Sequence, residues 1–191
     1  MVLVYSVGHG RRPIGRFVDL LDRARIHRVV DVRAVPASRR NPQFGRAALE
    51  SALADAGLEY IWRGPELGGL RTPRVDSRHF AQRNDALRGY ADHTETVGFA
   101  DGLSWLLHSA TETATAFMCA ESDWRRCHRR ILSDAIVVAG ARVVHLLDET
   151  NEEHVLHPSA RIENGRPIYD RGRGRPTEQN AIRAVRGSRG T

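Results

Sequence analysis

Residues 119–130, Cys-Ala-Glu-Ser-Asp-Trp-Arg-Arg-Cys-His-Arg-Arg, crowd two thiols, an imidazole, two carboxylates and four guanidiniums into twelve positions. They leave an apolar run at 115–119 and enter another at 131–138, which reads as strand, turn and helix. A thiol at a helix start among arginines is drawn toward the thiolate. Glu121, Asp123 and burial oppose that pull. Because Ile131 and Leu132 face a core, burial is expected to prevail at Cys127, making it a packing residue, with Glu121 and Arg129 facing the ligand. Cys119 ends an apolar strand and reads as a buried thiol. The spacing C-x7-C-H matches no standard zinc pattern. Adjacent helical side chains also diverge by about 100°, so no metal site and no cofactor are expected.

Three further segments carry candidate chemistry. Asp31-Val32-Arg33, at the end of an apolar run, is followed by Pro36, Arg39, Arg40 and Phe44. A buried carboxylate needs a partner. Asp31 is therefore either paired with Arg33 or aimed into a cleft among arginines suited to phosphate. Gly8-His9-Gly10-Arg11-Arg12 follows the first apolar run. It has glycines that would let backbone approach an anion, but Pro13 breaks the dinucleotide spacing. Trp62 to Gly69 holds Glu66 within a glycine-rich path, Gly64, Gly68 and Gly69.

The elements that must position these residues follow from periodicity. Residues 2–7, 29–32, 58–62, 115–119 and 142–147 read as strands. Residues 13–24, 46–56, 79–93, 97–107 and 126–138 read as helices. Near-continuous apolar strands alternating with helices predict an α/β domain: one mostly parallel five-stranded sheet with helices on both faces, Rossmann-like, over residues 1–150. The segments after each strand then share the carboxyl edge of the sheet, where such folds bind ligands. Residues 151–191 are expected to form a basic, partly flexible extension with one hairpin around Asn164-Gly165. Its last stretch, 171–191, has too few aliphatic residues to bury, and is expected to be dispensable for folding.

Composition sets further bounds. The 191 residues are 41% hydrophobic and 27% charged, as in a globular protein. All 29 basic residues are arginine. With no lysine there is no Schiff base, no pyridoxal attachment and no Walker-type loop. The net charge of +6 is unevenly placed: residues 1–160 hold 21 arginines against 20 acids, whereas residues 161–191 hold eight against three. Two cysteines are too few for a secreted disulfide scaffold, and no apolar run is long enough to span a membrane, so a cytoplasmic location is expected.

Taken in order, the Val-Gly-His turn, Asp31-Val32-Arg33 with Pro36 and Ser38-Arg39, Asn41-Pro42-Gln43-Phe44, Glu66-Leu67-Gly68-Gly69, Tyr90, and Cys119-Ala120-Glu121…Cys127-His128-Arg129 resemble the bacterial family named domain of unknown function 488, over roughly residues 3–147. Gly10 and Trp124 depart from that family's serine and proline. The family's name implies no activity. Three functions are therefore carried forward. In the first, Asp31 and Glu121 are catalytic in an N-glycosidic hydrolase, DNA glycosylase-like, acting on an altered base. His9, Arg11, Arg33, Arg39, Arg40, Phe44, Trp62, Glu66, Tyr90, Trp124, His128 and Arg129 then bind the substrate, a nucleic acid, DNA rather than RNA. In the second, Cys127 serves a thiol-dependent sulfurtransferase or redox enzyme. The third is a noncatalytic nucleic-acid-binding module.

Overall fold

A computed structural model describes residues 1–171; residues 172–191, which hold nearly all of the segment expected to be dispensable, lie outside the described residues. The chain forms one mixed α/β domain of Rossmann-like kind. Its strands are β1 (Leu3–Gly8), β2 (Arg28–Asp31), β3 (Glu59–Trp62), β4 (Thr115–Cys119) and β5 (Arg142–Leu146), all mutually parallel. The helices are α1 (Ile14–Arg23), α2 (Arg46–Asp55), α3 (Gly64–Leu67), α4 (Asp85–His93), α5 (Val97–Glu112) and α6 (Arg129–Val138).

The sheet has six strands rather than the expected five. A two-residue strand, β6 (Glu152–Glu153), pairs antiparallel with β5, and two residues are too short to show any periodicity. The hairpin at Asn164-Gly165 is present as β7 (Ala160–Glu163) and β8 (Arg166–Tyr169). It is packed onto the body: Tyr169 is fully buried and its hydroxyl donates to Asp134 on α6 at 2.6 Å. The helix expected over 79–93 begins only at Asp85, behind an Asn84 side chain that caps the Leu87 amide at 3.1 Å. Residues 79–82 instead form a turn tied to β8, with the Ala81 amide on the Tyr169 carbonyl at 3.0 Å.

Strand order decides where a site forms. The sheet runs β3-β2-β4-β1-β5-β6. The connections leaving β1 and β2 travel toward the β3 edge, and those leaving β3 and β4 travel the other way. Accordingly α1 and α2 cover one face with Phe17, Leu21, Leu49 and Leu53. The other face is covered by α4, α5 and α6 with Tyr90, Phe99, Leu106 and Ile131. Alternate strand residues feed the two cores: Val29 and Met118 face one, Val30 and Phe117 the other. Connections diverge between the neighbouring strands β2 and β4, so a crevice opens past their carboxyl ends. Among the described residues no helix is long and apolar enough to cross a membrane.

The buried histidines make the fold acid-sensitive. Burial pushes His9 down to about 4 and His145 down to about 2. In the unfolded chain both return to about 6.5. Below that value the unfolded state binds more protons than the native state, so stability falls as pH falls from about 6.5 toward 4. Each group contributes on the order of 2–3 kcal/mol to that loss by pH 4. Urea midpoints measured from pH 7.5 to 4 should decline from about pH 6.5, before the carboxylates protonate. A midpoint constant down to pH 5 would show that both rings are charged in the native protein.

Candidate functional site

The crevice is filled from both sides. Past β2 the backbone continues extended, and the Val32 amide donates to the Met118 carbonyl of β4 at 3.0 Å. Past β4 the chain makes a compact return. The Glu121 carboxylate accepts the Asp123 amide at 3.2 Å, and the Asp123 carboxylate accepts the Arg125 amide at 3.0 Å. These acceptors start a single 3-10 turn, Trp124–Arg126, that ends at Cys127. His128 then occupies the position just before α6. Cys127 and His128 thus precede the helix instead of lying in it, and the helical divergence between them does not apply.

The return brings three reactive atoms together. The ligand atoms of Cys119, Cys127 and His128 all lie within 4.8 Å of one another. His128 Nδ1 is 3.5 Å from the Cys127 sulfur and 3.9 Å from the Cys119 sulfur. Its other nitrogen, Nε2, lies 3.1 Å from the Val32 carbonyl, which only accepts, so Nε2 carries the proton and Nδ1 presents a lone pair to both sulfurs. Tyr90, fully buried on α4, sets its ring 4.8 Å from the imidazole and donates its hydroxyl to the Leu67 carbonyl at 2.9 Å. That contact brings in the glycine path after α3. A Cβ on Gly69 would stand 2.8 Å from His128 Nδ1, so only glycine lets this backbone lie over the ring.

Charge supports the thiols. The neighbouring Cys119 thiol holds Cys127 well below the ordinary thiol range; burial opposes, and the Arg129 guanidinium adds to the lowering. Cys119 is correspondingly raised, by the neighbouring Cys127 sulfur and by burial. Cys127 is buried, as its sequence setting implies, at 5% exposure. Yet burial does not prevail there, because folding places a second thiol against it. Arg129 is buried at 1% exposure. Its guanidinium donates to Ser6 Oγ at 3.2 Å and to the carbonyls of Glu121 and Ser122, clamping the return onto β1. Gly8 on β1 has no side chain to obstruct that clamp: a Cβ there would stand 2.6 Å from an Arg129 nitrogen.

The other sequence candidates divide. Asp31 and Glu121 leave neighbouring strands, but their carboxylates do not share a cleft. Asp31 is fully buried in a bidentate pair with Arg33, 2.5 Å at its shortest, and also accepts the Tyr60 hydroxyl at 2.7 Å. Arg33 donates onward to the Phe44 carbonyl at 2.7 Å. The Glu121 side chain is exposed and serves its own loop. Glu66 pairs with Arg63 at 3.3 Å on α3, and its carbonyl accepts from His93. His9 is stacked on the buried Phe44, centroids 4.0 Å apart. Trp62 donates to the Arg33 carbonyl at 2.9 Å. Trp124 is buried rather than open: it stacks on His145 at 3.9 Å, above a chain in which His145 meets His154 and His154 meets Asp134, each at 2.9 Å. Arg11, Arg39 and Arg40 are exposed. Of the candidates, His128, Arg129 and Tyr90 are thus built around the thiol cluster, Asp31 and Arg33 brace the neighbouring strand end, and the rest are dispersed.

Sequence reasoning missed the partnership of Cys119 with Cys127, the Val32 carbonyl, the contact of Gly69 with His128, and Tyr60. The nearest signal was the double glycine at 68–69, which marks a close backbone approach without saying to what.

Comparison with known proteins places the chain in a family. The family model described as domain of unknown function DUF488 matches residues 13–136, a span that includes β2, α4, β4 and both cysteines. No curated protein and no solved structure matches the chain.

The buried pair at β2 is a brace, and breaking it has a stability cost. Asp31→Asn leaves the Arg33 guanidinium buried without its counter-charge, which costs about 3–5 kcal/mol. Chemical denaturation of the variant should show a loss of that size; a change below about 1 kcal/mol would mean that Asp31 is free for another partner.

Proposed function

The chain belongs to the DUF488 family, and from that premise we propose that it is a thiol enzyme of the thiol–disulfide exchange class, with Cys127 as nucleophile and Cys119 as the resolving thiol. The observation that carries the reading is the line from the Cys127 sulfur through His128 Nδ1 to the Val32 carbonyl at Nε2, with the second thiol alongside. A nucleophile, a base and a group that orients the base is the arrangement nucleophilic catalysis needs.

The chemistry balances within the pair. The Cys127 thiolate attacks one sulfur of a substrate disulfide and releases the other as a thiolate, giving a mixed disulfide. Cys119, deprotonated through His128, attacks the Cys127 sulfur of that bond and releases the second substrate thiolate. Two electrons pass to the substrate, and a Cys119–Cys127 disulfide remains. Arg129, fixed by Ser6 and the 121–122 carbonyls, supplies positive charge to the attacking thiolate. The base-acting hydrolase draws less support, because Asp31 is committed to Arg33 and Tyr60, and Glu121 to its loop.

Reduced protein mixed with an aromatic disulfide reagent tests this. Two equivalents of released thiolate per chain are expected, with a Cys119–Cys127 disulfide in the peptide masses. Cys127→Ser should abolish the fast release, and Cys119→Ser should stop at one equivalent with a stable mixed disulfide on Cys127. If neither thiol reacts in the native protein, or Cys119 reacts first, the assignment is wrong. Loss of activity on a nucleic acid by Glu121→Gln, with Cys127→Ser unaffected, would instead restore the base-acting reading.

A further inference from the structure

Two sulfurs and one imidazole nitrogen converging on a point also make a set of metal ligands. A tetrahedral zinc site has Zn–S of about 2.3 Å and Zn–N of about 2.0–2.1 Å. Those bond lengths set sulfur and nitrogen ligands about 3.5 Å apart, and two sulfurs about 3.8 Å apart. His128 Nδ1 lies 3.5 Å from one sulfur and 3.9 Å from the other, and all three atoms are within 4.8 Å of one another. The two nitrogen–sulfur distances already fit, whereas the sulfurs, up to 4.8 Å apart, would close by about 1 Å around a cation at the centre.

The surroundings match such a site independently of those distances. A metal-ligating histidine ordinarily donates its free ring N–H to a carbonyl or carboxylate, which fixes the tautomer and aims the lone pair. The His128 Nε2–H donates to the Val32 carbonyl in that manner. The donor set, two sulfurs and one imidazole, is soft and selects zinc-class ions over magnesium or calcium. No carboxylate oxygen is among the three ligands. Two thiolates neutralise a dication, which removes the cost of burying it.

We propose that Cys119 Sγ, Cys127 Sγ and His128 Nδ1 bind one zinc-class divalent cation, with a fourth coordination position left open. Resting on the thiol reading above, we further assign this cation a regulatory part. Coordination withdraws electron density from both sulfurs and slows their attack on a disulfide, so the loaded protein is the resting form. Removal of the ion frees Cys127; the substrate disulfide then takes two electrons and leaves as two thiolates, and the resulting Cys119–Cys127 disulfide prevents the ion's return until the pair is reduced. Zinc itself undergoes no redox change in this cycle.

Cobalt(II) added to reduced, chelator-treated full-length protein is the direct probe. One equivalent should produce the thiolate-to-cobalt charge-transfer band and the intense visible bands of a tetrahedral ion, and one equivalent of zinc should abolish them. Cys119→Ser and His128→Asn should each lose the tetrahedral spectrum at stoichiometric cobalt. Because either variant can perturb folding, a second measurement uses the native chain alone. Iodoacetamide labelling of Cys127, read by peptide mass, should proceed after chelator treatment and be blocked by one equivalent of zinc. If cobalt gives only weak octahedral bands and zinc gives no protection, the metal site is refuted while the thiol reading stands. If cobalt binds tetrahedrally but Cys127 stays unlabelled in the chelator-treated protein, the site is a structural metal centre and the thiol reading with its regulatory part fails.

Discussion

The hydrogen bond from His128 Nε2–H to the Val32 carbonyl is the constraint on which the candidate site depends. It joins the end of β2 to the start of α6 across the divergence point of the sheet. It also chooses the tautomer, and that choice turns Nδ1 toward two thiols that would otherwise be two small buried residues. Both chemical readings of the site, nucleophile with base and metal with ligands, begin from this one orientation. Its acceptor is a backbone carbonyl of an extended segment bonded to β4, so it is held by the sheet rather than by a mobile side chain.

Everything else near the crevice serves to hold that geometry. Asp31, Arg33 and Tyr60 lock the end of β2 with a buried, fully engaged carboxylate. Arg129 ties the return after β4 to β1, and Gly8 leaves room for its guanidinium. Gly69 lets the segment after α3 lie over the imidazole, and Tyr90 holds that segment by the Leu67 carbonyl. A buried arginine and a buried aspartate are expensive to desolvate. Here each has several hydrogen bonds.

The layers of the fold were legible because aliphatic periodicity reports burial directly: the five long strands, α1, α2 and α6 follow the apolar runs. The elements that eluded sequence reasoning are those decided by tertiary contacts. Residues 79–82 have helical apolar spacing but are held in a turn by β8, and β6 exists only because β5 offers an edge. The site was half legible. The 119–130 segment, Asp31 with Arg33, and Arg129 stand out by residue type. What each does depends on the 3-10 turn at 124–126. This short turn moves Trp124 inward onto His145, and brings Cys127 back beside Cys119, eight residues earlier in the chain. A one-turn element of this kind leaves no periodic trace. The role of each carboxylate was ambiguous for a different reason. A buried aspartate at a strand end looks the same in sequence whether it is paired or catalytic, and only the Tyr60 hydroxyl and the Arg33 fork decide between them.

The most direct measurement of this account is the tautomer of His128 in the reduced, metal-free native protein, read from long-range proton–nitrogen correlations of its imidazole at neutral pH. The account predicts the proton on Nε2 and an unprotonated Nδ1 facing the two sulfurs. A ring protonated on Nδ1 alone would contradict it, because the imidazole would then accept nothing from the thiols, offer no lone pair to a metal, and leave the Val32 carbonyl without its donor.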